Sequence, residues 1–376
     1  MAPGTEKAAE PATTAVPSRT WAEIDLSAVR HNVRVLKRRA SGARLMAVVK
    51  ADAYGHGALP VAQAALEAGA DSLAVVTVEE GAELRRGGIR EPILVFTDLL
   101  PDRLPLAAEH HLTATAHSLT SARRIASCTS PGLKAHLKVN TGMNRWGVGP
   151  GEVAEARKTL GNKLIGVYTH LASADSDAEA TKAQIQVFDE VLAAHDFGGA
   201  LVHAANSAGT LWHPGSHYEC VRPGVALYGL HPSGDSGDPA DEGLRPAMSL
   251  KSYVADVRKL APGDGVSYGL TFRAEEEMFT AVVPVGYAEG YRRALSGRGV
   301  ALIRGVRRPL LGRVTMDACV FGVDGSIEVG DEIVLVGEQG GGRIGAEELG
   351  KLAGTINYEV TTGVDPRRVE RSYANV

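Results

Sequence analysis

The sequence has little cysteine and no long apolar run, and each shortage excludes a class of protein. Three cysteines occur in 376 residues, without a C-x-x-C pair, so neither a disulfide framework nor a thiolate zinc site is expected. Apolar runs stay at strand length, as at 333–336, whereas a membrane helix needs about 20 apolar residues. These shortages predict a reduced, cytoplasmic protein with no membrane partner.

The sequence also lacks a large excess of charge of either sign. Forty Lys and Arg residues oppose 44 Asp and Glu, a net charge of −4, and no basic run is present that would follow a phosphate backbone. Nucleic acid is therefore excluded as a partner. The 12 histidines form no H-E-x-x-H or comparable ligand spacing, so no metal site is expected.

The length and the composition predict a multidomain globular protein. A chain of 376 residues is long enough for two or three domains, at about 150 residues each. Its 44% hydrophobic and 22% charged residues are typical of soluble globular proteins. The first 19 residues are rich in Ala, Pro and Thr and lack the apolar stretch of a secretory signal. We expect 1–19 to be a disordered tail.

Between residues 44 and 226 short apolar runs alternate with segments of helical spacing, which is typical of β/α units around a parallel sheet. Eight such units favour an α/β (β/α)8 barrel over a doubly wound sheet. The predicted strands are Arg44–Val49, Ser72–Val76, Pro92–Val95, Thr113–Ala116, Ala135–Val139, Leu164–Tyr168, Leu201–Ala204 and Cys220–Ala226. Predicted helices between them include Leu59–Ala68, Thr120–Ser127 and Glu179–Ala194.

Past residue 245 the pattern changes to strands joined by turns, which predicts a mainly β C-terminal domain. The Gly- and Asp-rich stretch 233–243 marks the linker. The predicted domains are therefore a barrel at 20–245 and a β-rich unit at 246–376. The predicted strands of the second unit are Ser249–Lys259, Phe279–Val285, Val300–Arg304, Leu310–Val314, Val320–Val323 and Asp331–Val336.

Lys50 is the first candidate for chemistry, because the apolar strand of AVVKADAYGHG (47–57) ends on it. The carboxyl ends of barrel strands form the active face, where an amine can act as a Schiff-base nucleophile or a general base. The alternative is a lysine that leaves the core for solvent, with its stem packed on the rim.

Further polar side chains follow other predicted strands and would meet Lys50 on the same face of the barrel. A single histidine at such a position is commonly a core residue with its hydrogen bonds made, and a single arginine is commonly a surface cation. The occurrence of several such residues on one face of the barrel favours a functional site. These residues are Lys138, Arg145, His170, Asn206, Ser207 and Arg222. In the β-rich unit Tyr268 and Asp317 stand out, although an ordinary strand aromatic and a turn former explain them equally well.

The stretch GGGRIG at 340–345 matches the dinucleotide pattern G-x-G-x-x-G. Only 31 residues follow it, too few for a dinucleotide-binding half. A glycine-rich loop between a strand and a helix is the preferred interpretation.

The sequence resembles the bacterial alanine racemases that use pyridoxal phosphate, over residues 20 to 373. The resemblance is carried, in order, by AVVKADAYGHG (47–57), LKVNTGMNRWG (137–147), HLASAD from His170, RPGVALYG from Arg222, VSYG (266–269) and RVTMD (313–317). It implies an isomerase that interconverts L-alanine and D-alanine and supplies D-alanine for cell-wall peptidoglycan. It also implies a homodimer with shared active sites.

In such a family member Lys50 holds the cofactor as an internal aldimine and then acts as the base on one face of the adduct. Tyr268 is the base on the other face, since inversion requires proton removal and return on opposite sides. Arg222 faces the pyridine nitrogen, and His170 bridges Arg222 and Tyr268. These four are the implied catalytic residues.

The resemblance also implies the binding residues. Arg145 binds the cofactor ring hydroxyl and lies near the substrate carboxylate, Met316 contacts that carboxylate, and Tyr287 lies in the substrate pocket. Lys138 matches a position that is carbamylated in some members. Tyr268 and Met316 come from the partner chain. The implied phosphate-binding residues are Tyr54, Asn206, Ser207, Gly224, Val225 and Tyr358.

Two departures from the family pattern are visible: Asn140 stands where Asp is frequent, and Ala318 where Gln is common. Asn140 leaves open how Arg145 is held. The alternatives are a racemase of broad specificity, a decarboxylase of the same architecture acting on a longer basic amino acid, and a non-catalytic pyridoxal phosphate carrier. Tyr268 argues against the last two, because neither needs a base on that face.

Overall fold

The computed structural model describes residues 19–375. Strand β1 (Thr20–Asp25) and helix α1 (Leu26–Arg39) precede the barrel, and Asp25 caps α1 by accepting a hydrogen bond from the Ser27 amide. Most of the predicted tail, 1–18, lies outside the described residues. Its last residue, Arg19, forms an ion pair with the buried Glu289.

The predicted barrel is confirmed. Among the described residues eight parallel strands, consecutive in the chain, close on themselves. Their side chains are mostly buried, as expected where helices cover the outer face of a parallel sheet. The strands are β2 (Arg44–Val48), β3 (Ser72–Val75), β4 (Ile93–Val95), β5 (Thr113–Ala116), β6 (Lys134–Lys138), β7 (Leu164–Tyr168), β8 (Leu201–His203) and β9 (Cys220–Val221).

Seven of these strands lie within a residue of their predicted bounds, and the eighth is shorter than predicted. The prediction Cys220–Ala226 is wrong beyond Val221, since 225–228 forms a 3₁₀ helix. Pro223 has no amide hydrogen for a strand ladder, and Gly224 has left the extended region, with φ −118° and ψ −89°. Because β9 ends at Val221, the backbone that follows it at the C-terminal face of the barrel is not part of the strand.

Helices connect the barrel strands, and the three predicted helices lie within a residue of their predicted bounds. Thr77 and Glu80 form a capping box at the start of α4, as Ser118 and Ser121 do for α6. The helices are α2 (Lys50–Tyr54), which is a short left-handed turn, α3 (Ala58–Glu67), α4 (Val78–Arg86), α5 (Leu104–Glu109), α6 (Leu119–Ser127), α7 (Val153–Leu160), α8 (Ala178–Ala194) and α9 (Ser207–Trp212).

The C-terminal region is mainly β, as predicted. Within the described chain it contributes to a seven-stranded, a three-stranded (β11-β14-β17) and a two-stranded (β12-β13) sheet. Its strands are β10 (Met248–Tyr253), β11 (Asp256–Leu260), β12 (Gly265–Val266), β13 (Phe272–Arg273), β14 (Met278–Val283), β15 (Val300–Ile303), β16 (Val306–Pro309), β17 (Cys319–Val323), β18 (Glu332–Gln339), β19 (Gly342–Ile344) and β20 (Glu370–Ala374). Helices α10 (Ala346–Ala353) and α11 (Asn357–Thr362) precede β20.

Two strand predictions and one loop prediction in this region are corrected. The predicted strand Ser249–Lys259 is two strands, because the chain leaves one sheet after β10 and enters another at β11. The predicted strand Leu310–Val314 is replaced by β16, and Leu310 forms only an isolated bridge with Phe321. Gly340 and Gly341 of GGGRIG form the tight turn between β18 and β19, so a β-hairpin comes before helix α10.

Strand β1 was not predicted, and it lies in the C-terminal sheet although we expected the barrel domain to begin at residue 20. It runs between β10, antiparallel, and β20, parallel. Thr20, Ala22 and Ile24 are fully buried, the alternation of a strand with one face in the core. The two ends of the described chain therefore meet in one sheet beside the barrel.

Candidate active site

The largest predicted cluster is found in a cavity of about 530 Å³ at the carboxyl ends of the barrel strands. This is the face where barrel enzymes place their chemistry, and the volume suits a cofactor or small ligand. The cavity is lined by eleven of the fourteen predicted site residues: Lys50, Tyr54, Lys138, Arg145, His170, Asn206, Ser207, Arg222, Gly224, Val225 and Tyr358.

Lys50 enters this cavity directly after the first barrel strand. The Glu80 carboxylate fixes the turn that follows, accepting the Ala51 amide with one oxygen (2.7 Å) and the Val76 amide with the other (2.7 Å). Burial lowers the pKa of the Lys50 amine, the Arg145 charge lowers it further, and Glu80 opposes the shift. The amine is thus brought toward the neutral form that a nucleophile or base requires.

The turn after Lys50 is left-handed, with φ between 51° and 54° at each of the four residues 51–54. Left-handed backbone is unfavourable by roughly 1–2 kcal/mol per non-glycine residue, so tertiary contacts have to hold it. Asp52 provides two of them, accepting the Ala58 amide at 2.7 Å and the Arg371 guanidinium at 2.5 Å. Arg371 lies on β20, so the C-terminal sheet supports the lysine-bearing turn.

The wall of the cavity formed by Tyr54, Ser207 and Gly224 is built for close approach of a small polar group. A Cβ at Gly224 would lie 2.4 Å from the Tyr54 hydroxyl oxygen, so glycine is what admits that hydroxyl. Ser207 Oγ accepts the Gly224 amide at 2.9 Å and the Ala226 amide at 3.2 Å. The Tyr358 ring lies 6.1 Å from that of Tyr54. Hydroxyl groups and backbone N–H groups therefore converge here.

Asn206 lines the same wall, but its amide is used for structure. Its Oδ1 accepts the Gly209 amide at 2.9 Å, which caps α9, and its Nδ2 donates to the Leu171 carbonyl at 3.3 Å. The role that the structure gives Asn206 is to fix the start of the helix that carries Ser207.

Arg222 is buried, and three of its guanidinium N–H groups have acceptors. Its Nη2 donates to the carbonyls of Thr169 (2.8 Å) and Ala204 (2.9 Å), and its Nη1 to His203 Nδ1 (2.8 Å). Burial lowers its pKa to about 10, so it stays a cation at neutral pH. Its Nη2 also lies 3.4 Å from His170 Nδ1.

His170 is kept neutral by this surrounding. Burial and then the Arg222 charge hold its pKa well below the ordinary histidine value. A neutral His170 ring therefore lies beside Arg222, and its predicted bridging role stays a prediction.

Sequence reasoning missed His203, which accepts from Arg222 and stacks on Tyr168 with ring centroids 4.7 Å apart and planes 8° apart. The signal that would have found it is its place as the last residue of β8, the position that marks Lys138 on β6.

Lys138 and Arg145 add two further cations to the lining of the cavity. Lys138 is buried, and burial, with the charges of Arg145 and Arg222, lowers its pKa to about 8. The family departure at Asn140 is satisfied within the loop, because its side chain accepts the Asn144 amide at 3.0 Å and donates to the Asn144 side-chain oxygen at 2.8 Å.

Tyr268, Tyr287 and Met316 do not line this cavity. They lie on adjoining loops of the C-terminal region, where the Tyr287 amide donates to Thr315 O at 3.1 Å and Ser267 Oγ donates to Arg313 O at 2.7 Å. All three side chains are exposed, Tyr268 by 74%. We call these three residues the exposed loop cluster.

Two other features bear on the class of chemistry. No group of three or more His, Cys, Asp or Glu residues within 19–375 is arranged to hold a metal ion. No helix in this part of the chain is long and apolar enough to cross a membrane.

Family models match both halves of the chain. Residues 24–232 match the N-terminal domain of alanine racemase, and residues 247–373 match its C-terminal domain. The chain belongs to the alanine racemase family. The second model begins one residue before β10.

Individual relatives agree over nearly the full length. The chain is 45% identical to an alanine racemase of Symbiobacterium thermophilum, covering 94% of this chain and 97% of the relative. The solved alanine racemase of the D-cycloserine producer Streptomyces lavendulae is 39% identical, with a TM-score of 0.87 and coverage of 96% and 98%. That of Bacillus anthracis, solved with bound L-Ala-P, is 36% identical, with a TM-score of 0.88 and coverage of 96% of both chains.

Proposed function

We propose that this protein interconverts L-alanine and D-alanine, with pyridoxal phosphate as its cofactor. The observation that carries the proposal is Lys50, a buried amine of lowered pKa in a barrel-mouth cavity that also holds Arg222 and a wall of hydroxyl groups. The family and the relatives named above support alanine as the substrate.

The residues present fit pyridoxal phosphate. Tyr54, Ser207 and Tyr358 offer hydroxyl groups to a phosphate, and Gly224 admits the Tyr54 hydroxyl, which a Cβ at this position would displace. Val225 follows Gly224 in the same wall, and Asn206 fixes it. When bound, the cofactor supplies an electron-withdrawing ring that weakens the Cα–H bond of an amino acid.

Proton transfer is assigned to two residues on opposite sides of the substrate carbon. Lys50 Nζ exchanges a proton on one face, and its lowered pKa provides the neutral amine that this task needs. Tyr268 Oη exchanges a proton on the other face. Inversion follows because a proton leaves from one side and returns from the other.

The exposed loop cluster implies that the working unit is a homodimer. Tyr268 cannot act from a position 74% exposed on its own chain, because a base has to lie within hydrogen-bond reach of its proton. We infer that each chain lends Tyr268, Met316 and Tyr287 to the cavity of its partner. Met316 would bind the substrate carboxylate there, and Tyr287 would restrict the space for its side chain.

Arg222 and His170 are assigned an electrostatic role. A buried arginine keeps its proton, so a ring nitrogen facing it stays unprotonated, which limits electron withdrawal and disfavours transamination. His170 is neutral beside Arg222, and it would accept or donate one hydrogen bond toward Tyr268.

Lys138 and Arg145 are assigned to carboxylate binding. A lysine with a pKa of about 8 has a substantial neutral fraction at neutral pH, so its amine can attack carbon dioxide, forming a carbamate and releasing one proton. The carbamate anion would orient the Arg145 guanidinium, which binds carboxylates through paired N–H groups. Arg145, which lines the cavity, would then hold the cofactor hydroxyl and the substrate carboxylate.

In the cell we assign the protein to the cytoplasm, as a source of D-alanine for peptidoglycan. Cys128, Cys220 and Cys319 are all free thiols, which agrees with a reducing compartment.

The test is incubation of the holoenzyme with each enantiomer of alanine, serine, lysine and arginine, followed by chiral chromatography. We expect alanine to be racemised in both directions, serine slowly, and lysine and arginine hardly at all. Lys50→Ala should abolish the reaction, whereas Lys158→Ala, an exposed lysine on α7, should not. Inactivity toward alanine, or equal turnover of lysine, would overturn the proposal.

A further inference from the structure

Beneath Arg222 a chain of hydrogen bonds continues into the barrel. Arg222 Nη1 lies 2.8 Å from His203 Nδ1, and His203 Nε2 lies 2.8 Å from His136 Nδ1. Arg222, His203 and His136 are 3%, 0% and 5% exposed. His136 also lines a second cavity, with Arg44 and Ser72 at the amino-terminal ends of the strands. The chain therefore crosses the barrel from one face to the other.

The chemistry of these groups allows a single arrangement of protons. Arginine has only donors, so His203 Nδ1 has to be an unprotonated acceptor and the ring carries its proton on Nε2. That proton points to His136 Nδ1, which then has to be unprotonated as well. Both imidazoles are neutral, with the proton on Nε2. Burial, the largest cause, lowers the pKa of His136 to about 3 and holds that of His203 well below its ordinary value.

The position of His136 is built into the sheet. The strand register shifts between Ala135 and His136, and His136 then lies opposite Gly166 on β7. A Cβ at Gly166 would lie 2.6 Å from three atoms of the His136 ring. The backbone of Gly166 does not need glycine, since its φ is not positive. Glycine is therefore present here to make room for the imidazole.

We propose that His136 is a positioning residue for Arg222, acting through the tautomer of His203. Without the His136 acceptor, the His203 Nε2–H group is buried and unpaired, which is unfavourable. If His203 instead moves its proton to Nδ1, that proton opposes the Arg222 N–H group. Tyr168 stacks on His203 and keeps the ring from turning away. The change of tautomer removes the acceptor of the Arg222 Nη1–H group, and in this way the disturbance reaches Arg222.

The direct test is nitrogen NMR of the cofactor-free protein labelled with ¹⁵N-histidine. The role assigned to Arg222 rests on the proposed function, but this measurement does not. We expect His136 and His203 to carry their protons on Nε2 at neutral pH, each assigned by the loss of its signals in the Gln variant. A proton on His203 Nδ1, or a cationic ring at either residue, would overturn the inference.

Variants connect this arrangement to the reaction. His136→Phe should change the His203 tautomer signal and lower kcat roughly tenfold, because a misplaced Arg222 stabilises the transition state less well, with a smaller change in the KM for alanine. His136→Gln retains a side-chain acceptor and should restore most of kcat. Gly166→Ala displaces the ring and should behave like His136→Phe.

Gly151→Ala is the matched control, because a Cβ there meets nothing within 4 Å; it should leave both readouts unchanged. Unaltered His203 signals and kcat in both His136→Phe and Gly166→Ala would refute the positioning role. The predicted tautomers in a protein that fails to racemise alanine would instead refute the proposed function and leave the hydrogen-bond chain intact.

Discussion

Substitution of Gly224 tests the proposed phosphate-binding wall of Tyr54, Ser207 and Tyr358, because the added Cβ would displace the hydroxyl of a different residue, Tyr54. An added Cβ would lie 2.4 Å from the Tyr54 hydroxyl oxygen, where ordinary contact begins at 3.4 Å. The hydroxyl therefore has to retreat by about 1 Å, enough to break a hydrogen bond to phosphate. A hydrogen bond to a charged group contributes about 1.5–3 kcal/mol, so Gly224→Ala should weaken cofactor binding roughly 10- to 150-fold.

The assay is titration of cofactor-free protein with pyridoxal phosphate, followed by absorbance, in a double-mutant cycle. Tyr54→Phe removes the same hydroxyl and should weaken binding by a similar factor. The double variant should bind no more weakly than the weaker single variant, because the hydroxyl can be lost only once. Gly215→Ala is the control, since a Cβ there meets nothing within 4 Å.

Additive losses in that cycle would show that Gly224 acts independently of Tyr54 and would refute the reasoning. Thermal unfolding of the cofactor-free proteins provides an independent check. With phenylalanine at 54, the nearest ring atom is 3.1 Å from the new Cβ. Gly224→Ala should therefore destabilise the Tyr54→Phe background less than the wild type.

Three further predictions concern the surrounding structure. Lys138→Met should raise the Tm in carbon-dioxide-free buffer below about pH 8, because burial lowers the pKa of Lys138 in the folded protein to about 8. Between pH 8 and the ordinary lysine pKa of 10.5 the unfolded chain binds more protons than the folded one, so wild-type stability rises with pH and the difference in Tm between the two proteins closes. A difference in Tm that does not change with pH would contradict this prediction. Gly55→Ala should lower Tm more than Gly42→Ala. Both glycines have positive φ, but only the Cβ added at Gly55 would lie 2.1 Å from the Thr361 carbonyl oxygen. Equal losses of Tm would show that this contact is unimportant. Tyr358→Ala should weaken cofactor binding and admit serine and lysine together, which titration and chiral chromatography check; a change in only one would separate the two roles.

The barrel and most of its mouth could be predicted because their signals are local. Each buried parallel strand is a short apolar run, and polar residues near the end of such a run fall at the carboxyl ends of the strands, so the sequence alone assigns Lys50, Lys138 and Arg222 to one face. Strand β1 could not be assigned, because its partners β10 and β20 are more than 200 residues away in the chain. Its short sequence, TWAEID, does not identify a strand unless these partners are known.

Two features of the site depend on contacts that no local pattern shows. The left-handed turn after Lys50 is made of Ala, Asp, Ala and Tyr, none of them glycine, and it is held from outside by Arg371. The His136–His203 pair joins residues 67 apart. Each histidine alone is indistinguishable from an ordinary core residue.

The central claim is that one site combines Lys50 of one chain with Tyr268 of its partner, and a tagged heterodimer tests it most directly. Lys50→Ala and Tyr268→Phe chains, co-expressed with different tags and purified through both, should recover about half of the wild-type activity, because one of the two sites contains neither change. A heterodimer of Lys50→Ala with Arg222→Gln is the control and should stay inactive, since both changes fall in the barrel and every site is altered. An inactive first heterodimer, or equal recovery in the control, would contradict the shared site.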